Sequence, residues 1–555
     1  MFPENMKARI HDRVIYSPYP NVDIPESSFY ALAKEKLLVN ADKLLLVSDV
    51  VSLTRSETLA HMERYAVGFR NNGVVPGDRV CIHLDNGVEN LIAIYGCILA
   101  GATVVLAKPS LTENELRYQA EDSDSTQILT DQKYTHKVIK VAEALKIKGL
   151  FCIGPASGFV SVTEFLDLDE RDFVELPVKN PRDTVLAVCY TSGSTGLPKG
   201  AEITHYNYVA AFYTTTIARA LKREKNERSY TIWKTSDVLL ASPPITHQSG
   251  MMFTMLAALA GITCVMVPTM MTPAQAVETI EKYKVTTIML FPSQLQAVVR
   301  ELCRTGRKLP SVRTIGTGGS VLPPSVAEAA REAFGSLEKL SKGYGMTESC
   351  GSVTTQSKAG EHGDGTDVGM PATGVTVKVV DVSTRERLGP HQIGEICFRT
   401  LSMVRGYYKR PKESAELFDE EGWCKSGDAG YYDEDGRLYF CERLKQMIKC
   451  MDNQVVPAEL ENLLLREHGT EIAEVSVVGL PHSEYGETAA AAIVLTEEGK
   501  KQDISTLANR IRTTVATNLA VHKHLYGGVY FVDSLPKTET AKVNRPALAR
   551  TLIRV

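Results

Sequence analysis

The chain of 555 residues is 44% apolar and 23% charged, a globular composition long enough for several lobes at about 100–200 residues per domain. A net charge of −4 without a long basic run excludes nucleic acid or an anionic membrane as an implied partner. Eleven cysteines, an odd number scattered without C-x-x-C pairs, exclude a complete disulfide framework. A reducing, cytoplasmic setting is expected: "MFPENMKARIHDR" lacks an apolar signal core, and "LIRV" is no peroxisomal tripeptide.

In chain order, "RVCIHLD", "NLIAIYGCILAGA" and "TVVLA" (79–107) predict strand, helix and strand. Apolar "TVLAVCY" (184–190) then enters "YTSGSTGLPKG" (190–200), a loop that gathers Thr191, Ser192, Gly193, Ser194, Thr195, Gly196 and Lys199. Glycine lets backbone N–H groups turn toward an anion, while Ser and Thr add donors and Lys199 a point charge. The loop is no Walker A motif, because Leu197 and Pro198 separate Gly196 from Lys199. A flexible linker is the alternative. The buried strand before it and "AEITHYNYVAAFY" (201–213), which can open a helix, favour a nucleotide loop between strand and helix.

From Val238 to Thr279 the only formally charged side chain is Glu278, and "MMFTMLAALAGITCVMV" (251–267) is almost wholly apolar. A membrane span needs about 20 residues. This run has 17 and Gly261 divides it, so a buried helix followed by a buried strand is expected. "AVETIEKYK", "VTTIMLF", "SQLQAVVRELCR" and "SVRTIGTGG" (276–319) continue the alternation, implying largely parallel sheets covered by helices. From about Gly374 to 441 the chain turns to short strands, with Asp435-Gly436 a hairpin turn. A charged boundary near 442–446 separates a large lobe, 1–443, from an α+β lobe, 444–555.

Four further stretches accompany the loop: "PPITHQSG" (243–250), "KGYGMTES" (342–349), "WCKSGDAGYYDEDGRLYFCERLKQMIK" (423–449) and "LPKTETAKVNR" (535–545). In this order the five resemble the adenylate-forming superfamily of acyl- and aryl-CoA ligases, firefly luciferase and peptide synthetase adenylation domains. The branch of 4-coumarate–CoA ligase and luciferase is most similar, with "VIYSPYPNVDIP" (14–25) as an N-terminal echo.

The resemblance implies an α/β adenylation domain, a mobile C-terminal lobe, and the substrates ATP, a small carboxylic acid and coenzyme A, with Mg²⁺. A carboxylate is a poor acyl donor; attack on the α-phosphate of ATP makes acyl-AMP, so two anions must be brought together. By resemblance, Thr191 to Thr195, Gly196 and Lys199 hold the β- and γ-phosphates, Thr347 touches the α-phosphate and Glu348 binds Mg²⁺. Tyr344 lies against adenine, among Gly318, Gly319, Ser320, Lys342, Gly343, Gly345 and Met346. Asp428 accepts the ribose hydroxyls, Arg443 bridges ribose and phosphate, and Lys445 is the hinge. Lys542 bridges acid and ATP. His247, Ser249, Met251, Gly318 and Gly345 line the acid pocket.

The chain departs from the pattern in two places. Ser249 stands where related aromatic-acid ligases carry an aromatic residue, and Met251, Met252 and Phe253 close by favour an apolar acid of adaptable shape. "KCMDNQ" (449–454) puts Met451 and Asp452 where related CoA ligases carry lysine and glycine, beside Lys449 at the expected pantetheine passage. The expected activity is an AMP-forming acyl- or aryl-CoA synthetase. Its rivals are an adenylating enzyme with weak CoA transfer or luciferase-like oxygenase activity, and a nucleotide-binding scaffold without catalysis.

Overall fold

A computed structural model describes residues 7–191, 197–217, 236–356, 366–451, 453–537 and 543–554. Two compact units divide the chain. Met1–His11, Ile15–Val377 and Phe398–Cys424 make the first; Asp12–Val14, Lys378–Cys397 and Lys425–Val555 make the second.

The first unit holds two seven-stranded sheets. In one, Arg79–His83 pairs in parallel with Thr103–Leu106 on one side and Gln127–Asp131 on the other. In the other, Val238–Ala241 pairs in parallel with Thr263–Met266 and Thr287–Leu290, and Thr314–Gly318 and Lys339–Gly343 extend the sheet. Each chain path therefore reverses at its central strand, and the crevice beyond the carboxyl ends at such a point is where open α/β sheets take ligands. Strand runs such as Val238–Ala241 are apolar throughout because both faces are buried. Leu240, Val265, Ile288 and Ile315 pack with Val277, Ile280, Leu295 and Val299 of the covering helices.

Local signals set the helix starts. Pro273 opens Pro273–Tyr283, whose N-cap Thr272 accepts from the Gln275 amide while Gln275 reaches back. The long apolar segment is a helix, Gln248–Leu259, then a strand, Thr263–Met266, parted at Gly261 with φ +87. No helix among the described residues is long and apolar enough to cross a membrane.

The glycine loop differs from expectation. Val185–Thr191 leads not to a helix but to a return strand, Lys199–Thr204, antiparallel to it with Thr191 opposite Lys199. Gly200 permits this closeness, since a Cβ there would meet Val188 Cγ1 at 2.6 Å. The helix waits until His205, where the Thr204 hydroxyl accepts from Asn207 N and Asn207 Oδ1 from Thr204 N.

In the second unit, Cys424–Tyr432 and Leu438–Arg443 form the expected hairpin around Gly436. The antiparallel pair Ile472–His482 and Gly486–Leu495 carries Gly528–Phe531 alongside. Helices Pro457–Glu467 and Ile504–Asn518 bring Leu460, Leu463, Leu507 and Ile511 onto Ile448, Val477 and Ile493.

Candidate active site

Within the first unit, the return strand and the turn Thr347–Ser349 meet at one side chain, Tyr407. Its hydroxyl donates to Glu348 Oε1 at 2.6 Å, and the Lys199 ammonium lies 5.4 Å from its ring centroid. Glu348 is buried and Thr347 half-buried. The Glu348 carboxylate and the Thr347 hydroxyl offer oxygen donors only, which suits a hard cation such as Mg²⁺. Cys350, two residues on, is a core residue: burial pushes its thiol up to about 12, and it packs against Met252 while accepting from Gln248 Nε2.

His247 is the N-cap of Gln248–Leu259. Its Nδ1 accepts from the Ser249 amide at 3.2 Å and lies 2.7 Å from Ser249 Oγ. The neutral ring therefore carries its proton on Nε2, as a donor. The segment before it is clamped from the other sheet's switch point. Asn86 Nδ2 donates to Ser242 O and Pro243 O, and Asn86 Oδ1 accepts from Ile245 N at 2.8 Å. Gly250 is required here, since a Cβ would fall 1.9 Å from Pro244 O. Ser249 and Phe253 are half-buried, one helical turn apart, whereas Met251 and Met252 are packed in the core and Met251 O accepts from Tyr95.

Gly318, at the carboxyl end of its strand, pairs with Gly343, and a Cβ on it would meet Gly343 O at 2.8 Å. Gly319 has φ +80, and Ser320 is exposed beside it. Tyr344 follows Gly343, buried, with Thr354 Oγ1 accepting from its amide. Lys342 N donates to Gln356 Oε1. Gly345 is exposed and Met346 is half-buried, its amide bonded to Ser349 Oγ.

In the second unit, hairpin register puts Asp428 opposite Arg443, and Arg443 Nε lies 2.9 Å from Asp428 Oδ1. Asp428 is buried, with its amide bonded to Ser426 Oγ. Lys445 stands in the next turn, Leu444–Gln446; burial and the neighbouring Arg443 lower its pKa, against Asp428. Lys449 is exposed on Ile448–Cys450. Met451 takes a left-handed conformation, φ +52, and its amide donates to Tyr485 O. Ser192, Gly193, Ser194, Thr195, Gly196, Asp452 and Lys542 lie outside the described residues.

The structure thus gathers Thr191, Lys199, Thr347 and Glu348 at one end of the first unit, and Asp428, Arg443 and Lys445 in the second. Sequence reasoning missed Tyr407 and Asn86. Asn86 follows a predicted strand at a sheet switch point, a signal that could have found it. "RGYY" carries no such mark.

The chain belongs to the AMP-binding enzyme family, whose main domain matches residues 34–408 and whose C-terminal domain matches 459–542. It is 30% identical to 4-coumarate–CoA ligase 1 of Petroselinum crispum over 97% of this chain and 96% of that protein. It is 28% identical to luciferin 4-monooxygenase of Luciola mingrelica over 99% of each. Among solved structures, o-succinylbenzoate CoA synthetase of Bacillus subtilis, in complex with its acyl-adenylate intermediate, matches with a TM-score of 0.77 at 25% identity, over 95% of this chain and 98% of that one.

Proposed function

We propose that this protein is an ATP-dependent acid–thiol ligase. The acid's carboxylate attacks the α-phosphate of ATP to give acyl-AMP and pyrophosphate; the thiol of coenzyme A then attacks the acyl carbon and AMP leaves. Lys199 and the glycine loop take the β- and γ-phosphates, Thr347 the α-phosphate, and Tyr344 with the Gly318–Ser320 turn the adenosine. Mg²⁺ held by Glu348 would supply charge neutralisation at the phosphates. Asp428 accepts ribose hydroxyls, and Arg443 bridges ribose to phosphate. Lys542, in a C-terminal lobe spanning 444–555 and turning about Lys445, joins acid to ATP in the first half-reaction.

His247 donates Nε2–H toward the incoming carboxylate. The accessible face of its helix offers small Ser249 and aromatic Phe253, which suits an apolar or aryl acid. The observation that carries the reading is the joining of Lys199 and Glu348 through Tyr407, which puts a cation and a carboxylate at one place where a metal–triphosphate needs both. Pyrophosphate exchange into ATP across a panel of carboxylic acids tests it; no acid-dependent exchange with any member overturns it. Thiol-dependent AMP release separates a ligase from an enzyme that stops at the adenylate.

A second reading, adenylation with slow transfer to coenzyme A, has one observation in its favour. Met451, a bulky residue, occupies a left-handed backbone position in the turn between Ile448–Cys450 and Asn453–Val455. Asp452 adds negative charge there.

A further inference from the structure

We propose that Tyr407 is a positioning residue for the phosphate end of the site: its hydroxyl holds one oxygen of Glu348 so that the other faces the metal–nucleotide, and its ring keeps Lys199 beside it. This rests on the adenylation reading. Glu348 is 4% exposed, and a carboxylate so far from water needs a fixed donor to hold one orientation. Tyr407 supplies it at 2.6 Å, a charge-assisted bond. The ring face lies within cation–π range of Lys199.

The anchoring of Tyr407 does not depend on that hydroxyl. The segment 402–408 is sewn to both sides by other bonds: Val404 N to Glu348 O, Ser402 Oγ to Ser349 O, Glu202 N to Gly406 O and Tyr408 N to Gly200 O. The Tyr407 amide itself donates to Ser414 Oγ at 2.8 Å. Removing the phenol oxygen therefore frees the carboxylate while the strap stays in place. A purely structural tyrosine would lose stability instead, without touching metal dependence.

Tyr407→Phe is the test, with binding as well as turnover as the readout. Binding of Mn²⁺ in the presence of α,β-methylene-ATP, followed by the electron paramagnetic resonance of free Mn²⁺, should weaken about ten-fold, the size of one lost hydrogen bond to a charge. The Mg²⁺ concentration at half-maximal pyrophosphate exchange should rise about as much, while the ATP dependence at saturating Mg²⁺ stays within about two-fold. In a Glu348→Gln background, Y407F should add less than about two-fold, because the partner charge is already gone. Tyr407→Leu, which also lacks any side-chain donor, repeats the measurement if Y407F does not fold. Unchanged Mn²⁺ binding in a folded Y407F or Y407L overturns the role of Tyr407 alone. No metal-dependent nucleotide binding by the wild type overturns the adenylation reading and this role with it.

Discussion

Glu348 is a buried charge and Arg545 a half-buried one, and their surroundings give them different duties. Glu348 meets a single described side-chain donor, Tyr407, so one oxygen is committed and the residue is poorly compensated for a structural ion. Glu348→Gln keeps the shape and removes the charge. It should lower acid-dependent pyrophosphate release at least about 100-fold without shifting the melting temperature, the pattern of lost transition-state electrostatics; near-wild-type release at saturating Mg²⁺ would show that Glu348 is not the ligand. Arg545 is paired twice: Nη1 donates to Glu442 at 2.8 Å and Nη2 to Glu461 at 2.7 Å, with Glu442 buried and Arg545 and Glu461 half-buried. Arg545→Met would strand two carboxylates, one of them, Glu442, already raised by burial. We expect a loss of about 3–5 kcal/mol in urea unfolding of the second unit, with Glu442→Gln added to R545M recovering part of it.

At the scale of elements, the first unit is held at its switch points by side chains that reach from one sheet to the other. Asn86 satisfies two carbonyls and one amide in 242–245, a stretch where Pro243 and Pro244 can offer no N–H. Asn86→Ala should let that segment drift and misplace His247. KM for the acid should rise about ten-fold with KM for ATP unchanged, as the loss of orientation at one substrate requires; equal rises for both would show general loosening. His205 sets a pH limit on the same unit. Its Nδ1 accepts from Phe29 N, and burial lowers its pKa from 6.5 to about 4. The neutral ring is the stable form, so the contribution is complete above pH 6.5 and is lost as pH falls toward 4, roughly 3 kcal/mol in all. Thermal unfolding should show that loss, and His205→Asn should reduce it; His83, also lowered to about 4, and His61, lowered by burial, contribute to the slope that remains.

The alternation of strands and helices is legible in the sequence because buried parallel strands read as unbroken apolar runs such as "VLLA" and "TIML". The return strand after the glycine loop is not, since "KGAEIT" has no strong period of its own and owes its form to pairing with Val185–Thr191. Glu348 and Lys199 are legible as site candidates through their motifs. Tyr407 is not, because its partner lies 59 positions away and only the fold brings them together; Asn86 is marked only by its place after a predicted strand, and its partner 159 positions away is not legible.

At the scale of the molecule, the family match falls in two parts, 34–408 and 459–542, and the proposed reaction has two halves that ask different things of the chain. The first needs phosphates, metal and acid together, and the first unit carries residues of the expected kinds for it. The second needs a narrow thiol arm to pass close to backbone, and at the expected passage the chain carries Met451 and Asp452. Cys450 pairs with Asn453 across a two-residue turn, Met451 holds φ +52, and Asn453 Nδ2 donates to Met451 O, which braces the turn as it stands. A glycine in place of Asp452 would remove side-chain volume and a negative charge that repels the phosphates of coenzyme A. Acyl-adenylate should therefore form readily and pass to coenzyme A slowly. Met451→Lys with Asp452→Gly should speed transfer about ten-fold, a gain of about 1.4 kcal/mol in the barrier, and leave adenylation as it was. Rapid-quench measurement of each half-reaction decides the matter. If wild-type transfer already outruns adenylation and the double variant is no faster, the turn does not obstruct the thiol.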